Sequence, residues 1–198
     1  MKPDSRAQPG YMAAFTKIVA DIAARLDGAN AKLLPIKLYV AGGAAMHLRT
    51  GSRVTADIDA VFSRRVVIND ELEASYRDSD GRARLLYLDR NYNDTLGLLH
   101  EDAYLDSERV DLPGIDNKVL EVRVLTPLDL AVSNLARYSD QDREDIERLA
   151  REKLINAKSL RTRAEHTLHN YVGDVGSVRT SIDLACKLVD EVRRPSTK

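Results

Sequence analysis

At 198 residues the chain is long enough for one domain or a small two-lobed unit, with a real hydrophobic core. Apolar residues make up 43% and charged residues 31%, and the net charge is −1; this is a soluble globular balance, and it excludes a global basic field for nucleic acid, though not a local basic patch. The single cysteine, Cys186, excludes an intrachain disulfide. No apolar run reaches the roughly 18 residues of a membrane span, and the first residues carry no secretory pattern, so a cytoplasmic protein without a membrane partner is the expectation.

Residues 1–10 are polar with two prolines and read as a loose arm. From Tyr11 to Leu26, apolar residues at Met12, Phe15, Ile18, Val19, Ile22 and Leu26 have amphipathic helical spacing, and Asp27-Gly28 is the expected stop. Lys37 to Ala41 reads as a short buried strand ending at Gly42-Gly43, followed by a short helix from Ala44 to Arg49 closed by Gly51. A second strand is expected over Asp57 to Ser63, and a helix over Ile68 to Arg77 with Asn69 as its N-cap. Arg84 to Leu88, Thr95 to Leu99 and Val119 to Leu125 are strand candidates, while His100 to Leu112 is ambiguous.

At Thr126-Pro127 the character changes, because Pro127 suits a first helical turn and Thr126 its cap. Helices are predicted over Leu128 to Tyr138, Gln141 to Lys153, Ser159 to Tyr171 and Val175 to Val192, and Cys186 reads as a buried structural thiol in the last of them. The expected fold class is α+β: a small mixed sheet in residues 11–126, followed by a C-terminal helical bundle in residues 127–192.

The chemistry concentrates in Leu38-Tyr-Val-Ala-Gly42-Gly43 and Arg53-Val-Thr55-Ala-Asp57-Ile-Asp59. On a strand, Asp57 and Asp59 project to one face, about 7 Å apart, and repel each other. Alone, such a D-x-D pair also fits two solvated acids at a strand end. The bulky apolar Ile58, Val61 and Phe62 argue instead for a packed strand with acids on a chosen face. A divalent cation relieves the repulsion, and Mg2+ (or Mn2+) favours one or two carboxylates plus phosphate oxygens. The glycine pair allows a triphosphate close to the backbone, the following helix turns its first amides towards an anion, and Arg53 adds positive charge.

These phrases resemble the signature of the nucleotidyltransferase superfamily with the DNA polymerase β-like fold. The Arg53-x-Thr55-x-Asp57-Ile-Asp59 form, with Thr126-Pro-Leu-Asp129-Leu-Ala-Val-Ser-Asn134-Leu-Ala-Arg137 and Asp142-Arg-Glu-Asp145-Ile146, is similar to the bacterial AbiEii/AbiGii toxin-like group. The resemblance covers roughly residues 38 to 146. It implies a nucleotidyltransferase fold and Mg2+-dependent transfer of a nucleoside monophosphate from a nucleoside triphosphate to tRNA or a protein hydroxyl, with a cognate antitoxin as partner. It also implies Asp57 and Asp59 as metal ligands, and Gly42, Gly43, Arg53, Thr55, Arg137 and Asp142 as nucleotide-binding residues. Departures from the pattern are Ala44 where the superfamily often has serine, and Asn134 and Gln141 where the toxin-like group commonly has lysines. Gly97 occupies the place of a third acid expected on the Thr95 to Leu99 strand, which leaves Asp94 as the nearest substitute. These departures leave open a weakened descendant that binds nucleotide or a partner protein.

His47 reads as a surface or capping residue, and His100, His166 and His169 lack zinc-ligand spacing. Lys153, Lys158, Arg161 and Arg163 read as a solvated helix face or, less simply, a basic patch for an RNA backbone.

Overall fold

The computed structural model describes residues 1–26, 31–68, 70–93 and 97–194. The chain forms two compact units, Met1–Tyr92 with Ser107–Val124, and Asn93–Asp106 with Leu125–Lys198.

In the first unit, helix α1 (Pro9–Leu26) buries Tyr11, Ala14, Phe15, Ile18, Val19, Ile22 and Leu26, the face that three- and four-residue spacing creates. Strand β1 (Ile36–Val40) leads into helix α2 (Gly42–Thr50), which Gly51 closes in a left-handed conformation. Next come β2 (Asp57–Ile58), β3 (Ala60–Phe62), β4 (Glu73–Arg77) and β5 (Ala83–Leu88), and later β6 (Glu108–Arg109) and β7 (Leu120–Val124). They form two sheets, ordered β3-β1-β7-β6 and β2-β5-β4. β1 runs parallel to β7 and antiparallel to β3, while β2 runs parallel to β5. Alternate residues of β1 (Ile36, Leu38, Val40) and β7 (Leu120, Val122, Val124) are buried, and α1 packs chiefly on β4.

Two expectations change. The single strand over Asp57 to Ser63 is two strands in two sheets, with Asp59 at the seam. Ala56 and Ile58 accept hydrogen bonds from Tyr87 and Asp89 on one side, while the Asp59 carbonyl accepts one from Ala41 on the other (2.9, 3.1 and 2.8 Å). The chain therefore changes partner at Asp59, between β2 and β3. The helix over Ile68 to Arg77 is absent among the described residues, and its last five residues are β4. Their burial alternates, Ala74 and Tyr76 in and Glu73, Ser75 and Arg77 out, and an Asp78–Gly81 turn returns the chain to β5. Period two and turn chemistry thus outweigh an acidic helix-start pattern. The expected cap Asn69 and the stop Asp27-Gly28 lie outside the described residues.

The second unit is helical: α3 (Ala103–Asp106), α4 (Pro127–Ser133), α5 (Asp140–Arg151), α6 (Ala157–Thr167) and α7 (Val175–Arg193). Side chains of Thr126, Ser139, Asn156 and Asp174 cap the last four by accepting amide hydrogens, an arrangement worth about 1 kcal/mol each. α4 ends at Ser133 rather than Tyr138, because the chain turns through Asn134 and reaches Tyr138 at a positive φ of 47° before Ser139 starts α5. α7 packs on α5 and α6, with Val178, Ile182, Ala185 and Val189 buried. Cys186 is buried there too, near the Ala157 carbonyl (3.5 Å), and burial pushes its thiol up, as befits a structural cysteine.

Candidate active site

The glycine pair and the acid pair meet in the first unit. Gly42 takes a positive φ of 54° at the start of α2, and a Cβ there would collide with Asp59 Oδ2 and stand 3.0 Å from Asp59 Cγ. A Cβ at Gly43 would stand 2.9 Å from both Arg53 Nη1 and Thr55 Cβ. The room that the glycines leave is thus filled by the three side chains the sequence singles out. Thr55 Oγ1 donates to Asp57 Oδ1. Along the chain, Ile58 and Ala60 are buried while Asp57 and Asp59 stay half-buried, so both acids keep access to water despite the change of sheet. The N-cap residue of α2, Ala41, makes no side-chain cap hydrogen bond, and the first amides of a helix are donors that suit an anion.

The parallel register between β2 and β5 sets Asp57 opposite Tyr87 and Ile58 opposite Leu88. The hydrogen bond from Asp89 to Ile58 carries that register one step further, so Asp89 is level with Asp59. Tyr87 is 41% exposed. It lines an open groove of about 580 Å3 with Glu71, Glu73, Asp89 and Arg90, within the size range of ligand pockets.

The expected third-acid strand, Thr95 to Leu99, is not found: Gly97–Leu99 carry no strand, and Asp94, Thr95 and Leu96 lie outside the described residues. The strand beside the D-x-D segment is β5, and Asp89 is the acid that follows it. Sequence reasoning missed Asp89 because pairing between segments 30 residues apart leaves no local pattern. Among the described residues, no group of three or more His, Cys, Asp or Glu side chains converges as a metal shell. Asp57 and Asp59 supply carboxylate oxygens, the hard donors that Mg2+ takes when phosphate completes its shell, so the donor chemistry fits that ion.

Arg137 and Asp142 belong to the second unit. Arg137 Nε and Nη2 donate to the two Asp142 oxygens (2.8 and 2.6 Å), and the Ser139 amide and hydroxyl donate to Oδ2 (both 2.8 Å). Burial alone would raise the Asp142 carboxyl, but these hydrogen bonds outweigh it and hold the group below the usual carboxylate range. Asp142 is fully buried and completes the capping box of α5. Asp129, also from the second motif, is buried against Arg163 Nε (2.8 Å) and Thr126 Oγ1 (2.6 Å).

The remaining candidates resolve as follows. His47 is not at the surface: it is 1% exposed, its Nε2 accepts from the Gln8 amide (2.9 Å), and its Nδ1 lies 2.8 Å from the Ser52 carbonyl. The basic group is not a free patch, since Arg163 bonds Asp129 and Asp106, and Arg161 bonds Asp183 (2.7 Å). His100 and His166 meet through Nε2 and Nδ1 at 2.7 Å.

An α+β unit with a glycine pair packed on a D-x-D segment accords with the nucleotidyltransferase class, to which the matching family model assigns the chain. Specifically, it belongs to the family described as "nucleotidyltransferase of unknown function (DUF6036)", whose model matches residues 13–188. Among solved structures, an antigenic nucleotidyltransferase-like protein from Paracoccidioides brasiliensis is similar at 16% identity and a TM-score of 0.40, over 86% of this chain and 93% of that one. No curated protein matches the chain at significant similarity. No helix among the described residues is long and apolar enough to cross a membrane.

Proposed function

We propose that the protein is a Mg2+-dependent nucleotidyltransferase that moves a nucleoside monophosphate from a nucleoside triphosphate to a hydroxyl acceptor. The observation that carries this reading is the packing of Gly42 against Asp59 and of Gly43 against Arg53 and Thr55, which gathers the acids, the cation and the helix start at one place. Asp57 and Asp59 would hold the metal, and Thr55 orients Asp57 for it. Bound Mg2+ neutralises charge developing on the transferring phosphoryl group. The backbone amides of Gly42 and Gly43 at the start of α2, with Arg53, receive the triphosphate. The acceptor oxygen attacks the α-phosphorus, the bond from that phosphorus to the bridging oxygen breaks, and pyrophosphate leaves with its electron pair. The hydroxyl proton passes to a carboxylate; Asp89 is the described acid whose place in the sheet suits this, and Asp94 is the sequence-based alternative.

The resemblance to the AbiEii/AbiGii toxin-like group supports tRNA or a protein hydroxyl as acceptor, a cognate antitoxin and a bacterial setting. A second reading is a catalytically weakened protein that binds nucleotide or a partner. It is favoured by the lack of a three-acid cluster among the described residues and by a buried Ala44 where serine would add a hydroxyl. The test is incubation with Mg2+, each labelled triphosphate, and either bulk tRNA or the protein itself. Label transfer that disappears in Asp57→Ala/Asp59→Ala supports the enzyme. Nucleotide binding without transfer selects the second reading, and transfer that survives the double substitution places the site elsewhere.

A further inference from the structure

The helical arginines that the sequence offers to a nucleic-acid backbone are neutralised: Arg161 by Asp183, and Arg163 by Asp129 and Asp106. Three arginines of the first unit are in the opposite state. Arg64, Arg65 and Arg90 are exposed, and none has an ion pair among the described residues. They line one groove of about 480 Å3, formed by β3 and the residues after it on one side and by the end of β5 and the residues after it on the other. Phe62 and Tyr92, both half-buried, line it as well. Among the described residues Asp89 is its one carboxylate. Exposed arginines gathered without acids to balance them make a local positive field, in a chain whose net charge is −1.

The groove starts at the acids. Ala60, the residue after Asp59, forms part of its wall. Asp89 is fixed at this end, because its amide donates to the Ile58 carbonyl (3.1 Å) and its Oδ1 accepts from the Asn91 amide (2.8 Å). From there β3 leads away from the glycine pair. Ala60 pairs with Val40 and Phe62 with Leu38, and the Ser63 amide reaches the Lys37 carbonyl (2.8 Å), so the strand steps back along β1. The start of α2 and the Arg64-Arg65 pair therefore lie beyond opposite ends of β3. A triphosphate on Gly42 and Gly43 leaves these arginines unused. Asp89 and Arg90 also border the groove of Tyr87, but Glu71 and Glu73 there repel phosphate, which directs a polyanion along β3 instead.

We propose that this groove holds the phosphate backbone of the acceptor, and that the acceptor is a single-stranded nucleic acid whose terminal hydroxyl is presented to Asp89. This rests on the nucleotidyltransferase reading above and chooses between its two acceptors. Arg64, Arg65 and Arg90 take the phosphates, since a guanidinium meets a phosphate through a fixed fork of donors. Phe62 and Tyr92 offer faces on which unpaired bases stack, a contact that tolerates any sequence. The terminal oxygen bonds the α-phosphorus, pyrophosphate leaves with the electron pair of the broken bond, and Asp89 takes the hydroxyl proton.

The test compares wild type with Arg64→Gln/Arg65→Gln/Arg90→Gln and with the matching triple substitution to lysine. Labelled single-stranded RNA and DNA oligonucleotides with a free terminal hydroxyl are titrated without triphosphate, from about 50 to about 200 mM salt. Wild type should bind at least one of them, more weakly as salt rises. Each phosphate contact on a single strand contributes about 0.7 to the slope of log affinity against log salt, so the glutamine variant should lose about 2 from that slope. The lysine variant should keep it, because the charge remains. Affinity for Mg2+ and triphosphate should be unchanged in both variants, and label from the triphosphate should move to the oligonucleotide in wild type. A wild type that binds neither oligonucleotide, a glutamine variant with the wild-type slope, an equal loss in the lysine variant, a parallel loss of triphosphate affinity, or label transfer to protein alone each overturns this inference and leaves the nucleotidyltransferase reading standing. A wild type that binds no triphosphate with Mg2+ overturns that reading, and this inference with it.

Discussion

The two units use acidic residues in opposite ways. In the second unit, Asp142 is fully buried and takes four hydrogen bonds from Arg137 and Ser139, and Asp129 is buried against Arg163 and Thr126. In the first unit, Asp57 and Asp59 are half-buried at the seam between two sheets, against glycines that leave them room. The two motifs look alike on paper, as acids spaced along a phrase. A buried acid surrounded by donors is set up to hold a helix or a loop, whereas a half-exposed pair with a cation beside it is set up to meet a ligand.

The sharpest way to break this contrast is Asp57→Asn with Asp59→Asn. Nucleotide transfer should fall by about a thousandfold or more, while circular dichroism and the melting midpoint stay near wild type. Asp129→Ala should do the reverse: leaving Arg163 without its buried partner should cost about 3 kcal/mol in urea unfolding, with triphosphate affinity unchanged in the protein that remains folded. Gly42→Ala falls between, because it touches both packing and site. The positive φ should cost roughly 1–2 kcal/mol, and the displaced Asp59 should weaken Mg2+-dependent nucleotide binding in titration calorimetry. Asp142→Ala should cost about 1–2 kcal/mol through the lost cap. Loss of nucleotide affinity at unchanged stability would instead support Asp142 and Arg137 as nucleotide-binding residues.

The smallest expected effect is on pH. His100 is held below its usual 6.5 by burial first, then by the charges of Arg163 and His166, against Asp102 and Asp129. The unfolded chain binds that proton more readily, so the contribution is intact above about pH 6.5 and is lost as pH falls through the lower folded value. Melting curves between pH 8 and 5 should show a small acid-side decline that His100→Asn reduces.

Much of this was legible in the chain. The apolar face of α1, the cap at Thr126, and the proximity of the glycine and acid pairs follow from spacing within a few residues. The misreadings have one cause. Over Ile68 to Arg77 a helix-start pattern competes with two-residue alternation, and only pairing with β5 decides between them. A third acid is expected on Thr95 to Leu99 because nothing local says that β5 lies beside β2. His47 reads as a surface residue until Gln8 and Tyr11, more than thirty residues earlier, are seen packed on it.

By itself, the sequence determined the chemical character of the site: two carboxylates in alternation, a glycine pair at a helix start and an arginine between them. These are local properties, set by side-chain period and backbone freedom. The tertiary structure decided how they are used. It split the acid strand between two sheets, gave the glycines' space to Asp59, Arg53 and Thr55, and set Asp89 level with Asp59. Each of those outcomes depends on contacts between distant segments, which form only when the whole unit packs.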